Sequence, residues 1–171
     1  MMGSNGKGAG GENEVKALLL PWWQQVEPAT TMVRTPRSGG WHAAATFRAA
    51  GDLMVTPGSR FPFSVEVKRR ERWSPKRFAD GYRSPVWAWW EQACRDADKI
   101  GLEPMLWARR SHGLWIVLVR QALVIGKLKA PFPTFAWGLG FWHEHELSVP
   151  AVGYYGDQFL ATPPRLWMPR R

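Results

Sequence analysis

The stretch FPFSVEVKRRERW, residues 61–73, constrains the fold more than any other part of the chain. Apolar and polar residues alternate as far as Lys68, and successive side chains of a strand point to opposite faces. Phe61, Phe63, Val65 and Val67 therefore share one face, and Pro62, Ser64, Glu66 and Lys68 share the other. Upstream, DLMVT (52–56) reads as a strand and PGSR as a turn, so the spacing predicts a hairpin. From Glu12, ENEVKALLLPWW puts Val15, Leu18, Leu19 and Trp22 on one helical stripe, with Pro21 in the last turn. VWAWWEQACRDADKIG (86–101) reads as a second helix, ended by Gly101. TTMVRT (30–35), PMLWARR (104–110) and LWIVLV (114–119) read as further strands, the last two joined by the SHG turn. Helix, three strands, helix and two strands make an α/β layer architecture.

Between these elements the signal is weaker. Residues 1–11 are Gly-rich and read as a mobile arm, PRSGGWHAAATFRAAG (36–51) as a loop, and residues 69–85 as a basic, turn-rich connection. After about residue 125 the chain is rich in Pro, Gly and aromatics, which predicts a core over 1–125 and a C-terminal strand-and-loop appendage over 126–171. LWIVLV is far too short to span a bilayer, the N-terminus has no apolar signal-peptide core, and Cys94 is the only cysteine. The expectation is a soluble, cytoplasmic protein without a membrane partner. Its 23 Lys and Arg against 14 Asp and Glu give a net charge of +9. Cations in such excess favour a polyanion, nucleic acid first, because neutralising phosphates releases condensed counterions.

The chemistry narrows to one pattern. Glu-x-Lys occurs twice, at Glu14-Val15-Lys16 and Glu66-Val67-Lys68. In a helix, positions i and i+2 point to different sides, so Glu14 and Lys16 cannot share a site. In a strand they share a face, so Glu66 and Lys68 stand together. A carboxylate and an ammonium side by side are ordinarily a solvated pair of little consequence. Here Asp52 opens the preceding strand where it can approach Glu66, Glu12 starts a helix, and a basic, aromatic segment follows. Two acids converging on a divalent cation beside a lysine are the parts needed to hydrolyse a phosphodiester. Hard oxygen ligands suit Mg²⁺, with Mn²⁺ able to substitute, and the lysine can serve the attacking water.

These residues resemble the PD-(D/E)xK nuclease superfamily and, within it, the archaeal-type Holliday junction resolvases. KGAGGENEVKALL is similar to that family's opening helix and places the helix acid at Glu12; VRTPRSGG is similar to its strand arginine and Ser/Gly loop; Gly51-Asp52-Leu53 and Glu66-Val67-Lys68 resemble its metal-binding core. Gly51 stands where the superfamily pattern has Pro, and the stretch from Ser38 to Asp52 looks longer than in the archaeal members. The resemblance covers roughly residues 7–120. It implies a restriction-endonuclease-like core, a central mixed β-sheet flanked by helices, in a Mg²⁺-dependent endonuclease that resolves four-way DNA junctions by paired symmetric nicks. A homodimer follows from the need for two identical sites. Glu12, Asp52 and Glu66, with the Val67 carbonyl, would hold the metal, and Lys68 would serve catalysis. Lys7, Arg34, Arg37, Ser38, Arg69, Arg70, Arg72, Lys76 and Arg77 would hold the DNA backbone, and Gln92 is an accessory candidate. Another nuclease of the superfamily, of repair or restriction type, and a non-catalytic nucleic-acid-binding module are the competing readings.

Two other patterns carry less. GKGAGG (6–11) has G-x-G-x-x-G spacing, but no strand precedes it, so a dinucleotide site is not expected. HEHE (143–146) puts its two histidines on one strand face without a third ligand nearby, and reads as a solvated or packed strand.

Overall fold

The computed structural model describes residues 4–35, 51–79, 82, 84–127, 149 and 151–168, with the side chains of 4–8, 79 and 125–127 excepted. The helix α1 spans Ser4–Gln24, followed by β1 (Met32–Arg34), β2 (Leu53–Val55) and β3 (Phe63–Arg69). Two helices, α2 (Pro75–Ala79) and α3 (Pro85–Asp98), lead to β4 (Glu103–Arg109) and β5 (Ile116–Arg120). After α4 (Gln121–Lys127) come β6 (Ala151–Tyr155), α5 (Gly156–Ala161) and a 3₁₀ turn, Pro164–Trp167. The strands form one sheet in the order β1-β2-β3-β4-β5-β6. Only the β3–β4 pair is parallel, with Glu66 opposite Leu106 and Lys68 opposite Ala108; the other pairs are antiparallel. A parallel pair needs a crossover, and α3 supplies it. The sheet is therefore mixed and flanked by helices, the predicted architecture.

Both faces are covered. On one, Val15, Leu19, Trp22 and Trp23 of α1, with Phe159 and Trp167, pack on Val65, Val67, Met105, Trp107, Val117 and Val119. On the other, Val86, Trp87, Trp90, Ala93, Cys94 and Ala97 recur at helical spacing along α3, and most of that stripe packs on Leu106, Ala108, Ile116 and Leu118. Ser84 caps α3 by accepting from the Val86 N–H, and Pro85 opens it, where a missing N–H is harmless. Glu66 consequently sits under α3 rather than in solvent, at 7% exposure.

Three segments differ from expectation. The Gly-rich arm is helical from Ser4, because α1 docks on the sheet there: a Cβ on Gly11 would stand 3.3 Å from the Arg69 Cβ, 3.5 Å from Val67 and 3.7 Å from Trp115. Tertiary packing overrides the poor helix propensity of glycine. The basic connection contains α2, anchored by Phe78, whose ring centroid lies 4.5 Å from that of Trp87. The described part of the tail is no appendage. β6 pairs with β5 along its whole length, the Trp90 indole donates to the Val149 carbonyl at 2.8 Å, and the Trp22 indole donates to the Thr162 carbonyl at 2.9 Å. The 36–50 loop and HEHE lie outside the described residues. No helix among the described residues is long and apolar enough to cross a membrane.

Candidate active site

The site forms where β2 and β3 part. Their register holds at one pair, Leu53 opposite Val65. Beyond it the ladder continues through Asp52, whose N–H donates to the Val65 carbonyl at 2.7 Å and whose Oδ2 accepts the Val67 N–H at 2.8 Å. The end of β1 grips the same corner: the Thr35 hydroxyl donates to the Gly51 carbonyl at 2.8 Å, and the Thr35 N–H donates to the Asp52 carbonyl at 2.9 Å. Gly51 makes this possible. Its φ is +91°, and a Cβ there would stand 2.4 Å from the Val65 carbonyl oxygen. Proline, locked near φ −65°, could not occupy the position as folded, which accounts for the departure from the superfamily pattern.

Glu66 and Lys68 share the strand face as predicted, and the Lys68 ammonium donates to the Glu66 Oε1. Burial pushes the Asp52 carboxyl up to about 6; the Glu66 charge adds to this, the Val67 N–H opposes it, and Glu12 adds a smaller push. Asp52 thus sits in the negative field of both other acids. Glu12 projects from α1 at 2% exposure and accepts from Arg34 Nε of β1 at 2.5 Å. Among the described residues no three of His, Cys, Asp and Glu come close enough to hold one metal ion. Glu12 is paired with Arg34 and Glu66 with Lys68, and Asp52 feels the Glu66 charge more strongly than that of Glu12, so the pair that stands out is Asp52 and Glu66. That pair fits Mg²⁺ in its donor chemistry, since this ion keeps several waters and takes only one or two protein carboxylates. A buried carboxyl raised by like charges is also one that a cation would relieve.

The proposed DNA contacts separate into two groups. Arg34 and Arg69 are engaged internally, Arg34 with Glu12 and Arg69 Nη1 with Glu14 Oε1 at 3.3 Å. Arg70, Arg72, Lys76 and Arg77 are exposed. Arg77 lies 5.1 Å over the Tyr82 ring. Gln92 is two positions from both Trp90 and Cys94, off the buried stripe of α3, and is half-buried. Arg37 and Ser38 lie outside the described residues, as does the side chain of Lys7.

Sequence reasoning set Glu14 aside and did not single out Arg109 or Arg110. Arg109 pairs in register with Arg69, its Nη2 bonds Glu14 Oε2, and its guanidinium lies 4.5 Å over the Trp115 ring. Arg110 is exposed one residue beyond the end of β4, and the Arg70 N–H donates to the Arg109 carbonyl at 3.1 Å, joining the two basic strand ends. The repeated Arg-Arg at the ends of the two strands, 69–70 and 109–110, was the available signal.

Residues 3–140 match the model of a family described as "Phage putative PDDEXK endonuclease". No curated protein and no solved structure matches the chain.

Proposed function

Because the chain belongs to this phage PDDEXK endonuclease family, we propose that it is a Mg²⁺-dependent, structure-selective DNA endonuclease that nicks four-way junctions symmetrically as a homodimer. One observation carries the reading: Asp52, Glu66 and Lys68 meet at the parting of β2 and β3, with Asp52 raised by burial and by its acidic neighbours. Asp52, Glu66 and the Val67 carbonyl are the residues that would hold the ion, and Glu12 adds negative charge behind them. Bound there, the cation would supply Lewis-acid polarisation of the scissile phosphoryl group and would make a nearby water more acidic. Lys68, fixed by Glu66, orients the attacking water and offsets charge on the phosphoryl oxygens. The exposed Arg70, Arg72, Lys76, Arg77 and Arg110 hold the backbone on either side, so recognition rests on shape and phosphates rather than base edges.

Paired nicks in a branched substrate need two identical sites at a fixed separation, which a two-fold dimer provides. The test is cleavage of a four-way junction against a linear duplex of the same sequences in Mg²⁺. Preferential, paired cutting of the junction is expected. Equal cutting of both leaves a nuclease of repair or restriction type and removes junction selectivity.

A further inference from the structure

Glu14 cannot share a site with Lys16, yet it ties the middle of α1 to two strands at once. Its two carboxylate oxygens bond two arginines of adjacent strands, Arg69 of β3 and Arg109 of β4. Arg109 is in turn seated on Trp115 at 4.5 Å. Those arginines are mostly buried, with side chains 22% and 16% exposed. They are therefore anchor points of the sheet rather than open phosphate contacts.

Two residues earlier, Glu12 bonds Arg34 on β1. Positions two apart on a helix lie about 200° round the axis from each other. The middle of α1 is thus held by one carboxylate over β1 and by the other over the β3–β4 pair. Gly10 and Gly11 lie against Arg69, which lets the helix sit close enough for the second contact. Two anchors on different sides of a cylinder fix its rotation as well as its place. Rotation of α1 is what sets where the Glu12 carboxylate stands relative to Asp52.

We infer that Glu14 is a positioning residue, whose clasp on Arg69 and Arg109 fixes the rotation of α1 and so holds Glu12 in the field of the Asp52–Glu66 pair. The inference rests on the reading of that pair as a metal centre. Outer groups that orient a metal site change affinity by about 10–100-fold when removed.

The test is Mn²⁺ binding by calorimetry on the DNA-free protein, well below its melting temperature, for wild type, Glu14→Gln, Glu12→Gln and the double variant. Glu14→Gln is expected to weaken Mn²⁺ binding about tenfold. If it acts through Glu12, the double variant binds no more weakly than Glu12→Gln alone, since residues acting as one unit are not additive. A purely structural Glu14 would leave Mn²⁺ affinity unchanged in folded protein, or would add its effect to that of Glu12→Gln, and either result overturns the inference. Should Glu14→Gln fail to fold, Arg109→Lys, which keeps the charge but not the forked geometry, reads the same quantity and is expected to weaken binding in the same direction. Wild type that binds no Mn²⁺ overturns the metal centre itself, an outcome distinct from the other two.

Discussion

Glu27 illustrates how a single carboxylate fastens separate parts of this chain. Its Oε2 accepts from the Trp23 indole at 2.8 Å, from the Thr30 hydroxyl at 2.7 Å and from the Ser59 hydroxyl, while the Arg60 N–H donates to both oxygens at 3.2 Å. The end of α1, the approach to β1 and the β2–β3 turn therefore meet on one side chain. Burial alone would raise its carboxyl; the donors from Ser59, Trp23, Thr30 and Arg60 overturn that and hold it down to about 2, from an ordinary 4.5. A depressed folded-state value means the stabilisation is present above pH 4.5 and is lost as pH falls from there towards 2. With screening by the adjoining solvent, the contribution is about 2 kcal/mol at neutral pH. Urea melts of wild type and Glu27→Gln should therefore differ by about that amount at pH 7 and converge as pH falls from 4.5 to about 2. A constant gap across this range would contradict the account. None of this was legible in the sequence, where Glu27 is one acid in a polar turn whose partners lie 3 to 33 positions away.

At the scale of elements, α2 shows what charge patterning does and does not reveal. The run of cations after Lys68 was readable, and so was its place at the end of a strand carrying Glu66. The helix inside it was not, because Phe78 gains its burial from Trp87 on α3, a packing that no local periodicity records. The same limit applies to Arg34 and Arg69: a basic residue beside a nuclease site reads as a phosphate contact until Glu12 and Glu14 are seen to hold it. Every phosphate that a side chain ceases to neutralise lowers the log–log salt slope of DNA binding by about 0.9. Replacing Arg72, Lys76 and Arg77 together by alanine is therefore expected to reduce the slope by about 2.7, measured by fluorescence anisotropy over a range of NaCl concentrations. An unchanged slope would remove this cluster from the interface.

Across the whole molecule, period-2 alternation in β3, short apolar runs in four other strands and period-3.6 patterns in the two long helices were enough to identify those elements. The order of the sheet follows from them: a hairpin, a helical crossover and a second hairpin. The sixth strand escaped because AVGYY is short, is interrupted by Gly153 and lies in turn-rich sequence that reads as loop, although it is as buried as β5. The site was legible for the same reason the hairpin was, since strand geometry alone brings Glu66 beside Lys68. The corner at Gly51 that turns Asp52 towards them depends on a positive φ that no composition signals. The central claim is that this corner and the adjacent strand hydrolyse DNA through a bound Mg²⁺ ion, and the most direct measurement is DNA cleavage in Mg²⁺ by folded Glu66→Ala beside wild type, with DNA binding measured in parallel. The account predicts that wild type cuts, that chelator abolishes the cutting, and that Glu66→Ala binds DNA but does not cut it; cutting by Glu66→Ala at the wild-type rate would contradict it.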